Sequence, residues 1–504
     1  MKKNYTIVFA VIAALIALCA FWSCDSGGDD DSGSAGSVGS ANDLMKIGTQ
    51  GYPLNGNYEL TADIILPSNW TPIGSGNAPF TGTFDGKGHS IIINSTTASS
   101  IAVRSFSSGL DISSAPFAAE GSVTGGIIAR GLFAYTENAT IKDMNITIGP
   151  GSSFVITSTA ADQLQLFGTV AAIALNTAFT NINISGGRLK VNASSTDTLM
   201  LGGIAGTLWE GSSITGCSMS GGVKVSGGNE DYIGGLAGCA DGCFIANSFV
   251  SGDVKVSGST MNQTGGLVGS QEEGIIENCY VSGNVSASST TDSSAAGGLA
   301  GHLGGDSLKV IRKSYSSGTV SATSVSDDAR AGGIAGTSYK ETEITDCYSI
   351  GEISASAGAS ADAGGIAGHF NIVDASTITI ECCYASGNII AGSGSKKRAG
   401  SIAGSAKVEG TGSGSITVCA ALSVSVTGGA GETHRIAGET DFSLSNNIAN
   451  SAMSGSSNAS GQDGENKSSS DLALEATYTA RGWDFSTVWK MSGASPSRPI
   501  LKWQ

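Results

Sequence analysis

The sequence predicts an all-β chain, a parallel β-solenoid (β-helix) of about ten coils capped at both ends. Three observations predict it. A glycine-pair motif starts at Gly202, Gly234, Gly265, Gly297, Gly332 and Gly364, a step near 32 residues. Further columns of like residues follow each copy in phase. The composition suits short strands and tight turns, with Gly 74 of 504 residues, only 8 Pro and 13% charged residues, against an average Gly usage of roughly 7%.

The motif reads GGIAG, GGLAG or GGLVG; a degraded copy, GSIAG, starts at Gly400, and RIAG starts at Arg435. VAAIAL at 170–175 and the segment from Gly131 are in phase upstream. Ile214, Ile245, Ile276, Ile311, Ile344, Ile380 and Ile416 form an apolar column. Three residues on, a small-residue column holds Cys217, Ser248, Cys279, Ser314, Cys347, Cys383 and Cys419. The next position is aromatic in five units: Phe249, Tyr280, Tyr315, Tyr348 and Tyr384. After a Gly-containing turn comes a β-branched residue: Val254, Val285, Val320, Ile353 or Ile389. Each unit is expected to hold about three short strands. One unit cannot bury its apolar column alone, whereas stacked units bring each residue to its counterpart about 4.8 Å away. Ten such coils span roughly 45–50 Å. Ile276 and Cys279 are three apart, which breaks strand alternation, so a bend or bulge falls between them. The glycine pairs are expected at sharp corners, where they take backbone angles denied to other residues and let the chain pass close to its neighbour. No copy has the G-x-x-x-x-G-K-[ST] phosphate-binding pattern, and no helical period follows.

The chain divides by composition. Residues 1–23 carry Lys2 and Lys3, then an apolar run from Ile7 to Phe21 too short for a comfortable membrane span. Followed by Cys24, this resembles a bacterial lipoprotein signal peptide, which implies lipidation at Cys24. Residues 24–43 read as an acidic flexible tether, 44–125 as an N-terminal β cap with first coils, and 126–450 as the repeat solenoid. Residues 451–470 read as a flexible loop. The aromatic segment 471–504, with Trp483, Trp489 and Trp503, reads as a cap plugging the open end of the core. The net charge is −16, which disfavours nucleic acid and anionic headgroups, so a membrane link would run through the lipid.

GGLVG with NCYVSGNV, and GGIAG with DCYSIGEI, resemble the GLUG-motif repeat family, in which bacterial lipid-anchored, adhesin-like surface proteins occur. The lead-in over 58–91 and the ending over 482–503 also resemble those of such arrays. The resemblance implies export to the outer membrane or cell surface of a Gram-negative-type envelope. It also extends to immunoglobulin-A metallopeptidases, which resemble zinc peptidases with H-E-x-x-H. None of His89, His302, His369 and His434 is followed by Glu, so no such site is present.

Candidate sites are few. The aromatic column is either an interior stack or an exposed ladder for sugar rings or extended peptides. Cys239 and Cys243 in GCADGC are placed to close a local disulfide, and one bridge fits among Cys347, Cys383 and Cys419. The Cys/Ser alternation favours a slot for a small buried side chain. His302 and His369 share a column two coils apart, about 10 Å, too far to share a metal. Acids such as Asp231, Glu272, Asp328 and Asp362 look scattered through variable loops, with no acidic column facing a basic partner. No catalytic residue or cofactor follows; calcium in an Asp-lined loop would be the one cofactor. The expected function is therefore non-catalytic adhesion or ligand binding, to a host protein or glycan. The alternatives are a polysaccharide lyase or hydrolase, and a structural spacer.

Overall fold

In the computed structural model the described residues are 36–68, 70–94, 104–106, 126–155, 163–193, 196–455 and 458–504. Cys24 and the expected signal peptide over residues 1–23 lie outside them. Short strands stack into four long parallel sheets, three of them with nine, ten and ten strands. One coil runs through Cys243–Ala246, Phe249–Val250, Val254–Ser257, Met261–Gly265 and Val268–Gln271. That makes five strands per coil rather than three. The first two belong to one kinked sheet, and the other three define the second, third and fourth sheets in chain order.

The extra strands have two causes. Between Ile276 and Cys279 the backbone turns left-handed at Asn278 (φ 53°), and Asn247, Lys313, Asp346, Cys382 and Val418 repeat the turn. This is the expected bend, one residue that splits a strand in two. After glycine, Asn and Asp tolerate this conformation best, and the earlier coils use Asp143, Asn181 and Gly216 there. The second cause is the glycine pair, which separates the third sheet from the fourth.

Those glycines act by close approach rather than by unusual angles. None of Gly265, Gly266 and Gly269 has positive φ. A Cβ on Gly265 would overlap the Val268 carbonyl, and one on Gly266 would lie 2.7 Å from both methyls of Val281. On Gly269 it would overlap the backbone N of Ile233 in the preceding coil. The motif thus folds a tight corner, presses it onto the opposite wall and packs the fourth sheet on the third.

Register follows the columns. Ile214, Ile245, Ile276, Ile311, Ile344, Ile380 and Ile416 pair successively and are all buried. Val254 through Ile389 do the same on the second sheet. The small column is also buried. Its thiols and hydroxyls donate to the carbonyl two residues back, across the kink, as Ser248 does to Ala246 (2.8 Å) and Cys279 to Glu277 (3.2 Å). Serine also accepts from the coil before, as Ser314 Oγ does from the Cys279 N–H (3.0 Å). Cys and Ser interchange because each supplies one small donor. Burial pushes the Cys217 and Cys279 thiols up to about 12. All eight described cysteines are free. The Cys239–Cys243 bridge is not formed: Cys243 belongs to the main core and Cys239 to a separate cluster between the third and fourth sheets.

Both ends differ from expectation. The tether stops earlier than residue 43, because Gly36–Val38 pairs with Tyr58–Leu60 and the helix Ala41–Leu44 buries Leu44. Trp70, Phe80, Phe84 and Phe133 fill the N-terminal end, with the Trp70 indole donating to Gly131 O (3.1 Å). The C-terminal end is closed by the expected loop region, not by the aromatic segment. Glu465–Lys467 pairs with Ile448–Asn450. Buried Arg435 donates to Asn466 Oδ1 (2.7 Å) and Gly464 O (3.2 Å). The Gln462 amide meets the carbonyls of Ala437 and Gly438 (3.1 Å each) at the edge of the fourth sheet. The last edge strand is thus blocked by polar groups.

Gly265→Ala is expected to lower stability by about 1–3 kcal/mol through overpacking. Gly493→Ala, whose methyl meets nothing within 4 Å, should leave the denaturation midpoint unchanged. Equal midpoints for the two variants would refute the close-approach account.

Candidate functional site

The aromatic column lies on the outer side of the kinked sheet. Cys279 and Val281 point into the core, and Tyr280 between them points away from it. Phe249, Tyr280, Tyr315, Tyr348 and Tyr384 pair in register. Their rings stack with centroids 4.8–5.1 Å apart and planes within 5°. Each ring face is therefore covered by the next ring, and the column shows solvent its edges. Sugar rings bind aromatic faces, so the ladder cannot carry a saccharide laid flat along it. Burial raises the hydroxyl pKa of all four tyrosines, and the ladder is uncharged at neutral pH.

The aromatic segment 471–504 is a strap along this ladder. It starts with the turn Asp471–Ala473 and helix Glu475–Thr479, and ends in a hairpin of Trp489–Met491 and Pro499–Leu501. Trp483, Trp489, Tyr478 and Leu501 join Tyr348 and Tyr384 in a cluster distinct from the main core. Tyr384 Oη donates to Pro499 O (2.7 Å) and Tyr348 Oη to Gln504 Oε1 (2.9 Å). Each indole N–H of the strap meets a left-handed corner residue. Trp483 donates to Val418 O (2.8 Å), Trp489 to Asp346 Oδ1 (2.9 Å) and Trp503 to Lys313 O (3.0 Å). The strap runs back along the rod, burying Tyr384 and Tyr348 and leaving Tyr315, Tyr280 and Phe249 partly exposed. The ladder thus faces neither the core nor open solvent throughout; its C-terminal half holds polypeptide from the same chain.

A second grouping lies in the seam between the third and fourth sheets. There the N-terminal coils bring together Leu166, Ile173, Met200, Trp209 and Tyr232. Farther along, the same columns turn polar. Arg330, Asp362 and Arg398 are successive partners on the third sheet, and His302, Thr337 and His369 on the fourth. An acidic residue therefore does face basic partners in one column, contrary to the sequence expectation. Buried Asp362 accepts from Arg398 Nε (2.5 Å) and lies 2.7 Å from His369 Nδ1, while Arg398 Nη1 reaches Glu439 (2.7 Å). Burial opposes the Arg398 charge, but Asp362 and Glu439 hold it above its usual range. His302 Nδ1 meets Thr337 Oγ1 (2.7 Å), and burial, with Lys309 and Arg330 adding to it, pushes its pKa down to about 3. No hydroxyl or thiol is hydrogen-bonded to His369 among the described residues, so the pair lacks a nucleophile to activate. The network is closed on itself. The described residues contain no group of three or more His, Cys, Asp or Glu able to hold a metal.

Fold and groove together define a β-solenoid with a polypeptide-lined flank. A family model described as the GLUG motif matches residues 262–286, one coil from the third-sheet strand to the next β-branched residue. Among solved structures, a crystal structure from Bacteroides ovatus, described as a "putative immunoglobulin A1 protease", is similar at 16% identity and a TM-score of 0.27, with 96% of each chain covered. No curated protein matches the chain.

Trp489 is fully buried at the centre of the strap contact. Trp489→Ala is expected to remove about 3–5 kcal/mol from strap docking. Trypsin should then cut at Arg481, Lys490 and Lys502 at least about tenfold faster, because local opening governs cleavage. The far-UV circular dichroism of the solenoid should not change. Unaltered cleavage would show that the strap is not held by the ladder.

Proposed function

We propose that this chain is a non-catalytic binding rod, held by a lipid at Cys24 on the outer membrane or cell surface of a Gram-negative-type envelope, whose ligand is a host protein. The observation carrying this reading is the ladder's own occupant. Its exposed ring edges and corner acceptors already hold a folded polypeptide segment. The same geometry makes a host polypeptide the preferred ligand over a glycan. The apolar run ending at Cys24 supports export and anchoring. The self-satisfied Asp362–Arg398–Glu439 network supports a structural rather than catalytic role for the seam.

Two measurements test this. Metabolic labelling with a fatty acid should mark the protein and fail on Cys24→Ala; an unlabelled wild type removes the anchor. Purified chain lacking residues 1–24 should bind immobilised extracellular-matrix proteins, should ignore a glycan array, and should release no fragments from polysaccharides. Glycan binding alone would replace the polypeptide reading, and depolymerisation would replace it with a lyase or hydrolase.

A further inference from the structure

The strap claims only part of the groove. Its indoles meet corner residues at Lys313, Asp346 and Val418. Two more coils repeat the same corner toward the N-terminus, at Asn278 (φ 53°) and Asn247 (φ 51°). No backbone N–H among the described residues reaches the carbonyl of either asparagine. Beside them stand the rings of Tyr280 and Phe249, both partly exposed. Trp503 approaches Tyr280 from one side at 6.2 Å and a tilt of 33°, and among the described residues no ring of the strap pairs with Phe249. One coil farther the rung is Ser218, whose hydroxyl donates to Asn183 (2.8 Å), so the aromatic groove ends there. The unclaimed stretch is two coils long, about 10 Å.

We propose that Phe249 and Tyr280, with the corner carbonyls of Asn247 and Asn278, bind a tryptophan-bearing segment of a partner polypeptide in the mode of the strap. This rests on the polypeptide-binding reading above. Aromatic edges carry positive potential and attract the negative face of an incoming ring; Trp503 already takes such a tilted position. The adjacent carbonyl accepts one N–H, and among apolar rings only the indole of tryptophan carries a donor that is never also an acceptor. A saccharide lacks the ring face to meet the edges, and an aliphatic segment leaves the carbonyl unmet.

The test uses the full chain, strap in place. Its probe is a labelled synthetic peptide with the sequence of residues 481–504, beside a copy with its three tryptophans replaced by alanine. Fluorescence anisotropy should show binding of the first and loss of at least about tenfold for the second. Phe249→Ser, which copies the natural Ser218 rung and spares the Tyr280–Trp503 contact, should weaken binding by a similar factor without lowering the melting temperature of the strap. Ser218→Phe, adding a rung, should strengthen it. Equal binding of both peptides, indifference to these variants, or no binding would overturn the proposal. So would a response only to oligosaccharides, or self-association of the chain with no peptide bound. If the wild type and the serine variant capture a matrix protein equally, the site is wrong and the polypeptide reading stands. If neither captures any protein, the reading itself falls.

Discussion

Each residue in this fold sits one strand spacing from its counterpart in the next coil, and that constraint governs everything else. Identical positions must tolerate their own company at about 4.8 Å. Isoleucine on isoleucine and ring on ring satisfy it directly. A lone charge does not, which explains the low charged fraction. Where charge is buried in the seam it alternates in sign, as at Arg330, Asp362 and Arg398, whereas like charges stack in register only in the open, as at the exposed Lys190, Lys224 and Lys255. The small column meets the constraint with hydrogen bonds instead, because Cys and Ser each cap a carbonyl that the kink exposes.

That stacking also produces the groove. The left-handed residue between the two strands of the kinked sheet turns its carbonyl away from the ladder of main-chain bonds. Repeated on every coil, it gives a row of acceptors parallel to a row of ring edges. A binding surface therefore arises from backbone geometry repeated in register; Trp483 and Trp503 of the strap read its carbonyls at two coils, and Trp489 meets the corner's Asp346 side chain at a third.

Much of this was legible in the sequence. The isoleucine, small, aromatic and β-branched columns could be aligned by eye, and the structure pairs them in that register. The required bend between Ile276 and Cys279 was visible, but its place was not, since Asn278 looks like any turn asparagine. The glycine pair was read for backbone angles and for close approach to a neighbour; the angles are ordinary, the close approach is present, and its partners Val268, Val281 and Ile233 could not be named from the sequence. The polar seam went unseen although Arg330, Asp362 and Arg398 each stand two residues before a glycine motif, because the same column holds Met200, Tyr232, Gln263 and Ala295 in the earlier coils and does not look charged. The strap was recognised as a cap, yet its docking face could not be read. Nothing local in 471–504 says whether three tryptophans cover an end or a flank.

The strap differs from the rest of the molecule in sequence separation. Neighbouring coils meet across about 31–36 residues, as Cys217 meets Ser248 at 31 and Cys279 meets Ser314 at 35. Trp489 meets Asp346 across 143 residues and Trp503 meets Lys313 across 190. Closing loops of that size before the coils exist would be entropically unfavourable. Coils can add one upon another, each templated by the last, but the strap has no surface until at least four are in place. It docks last. The buried half of the tyrosine ladder is thus a record that the coils from Lys313 to Val418 were completed, and a chain with its strap undocked would show that surface bare.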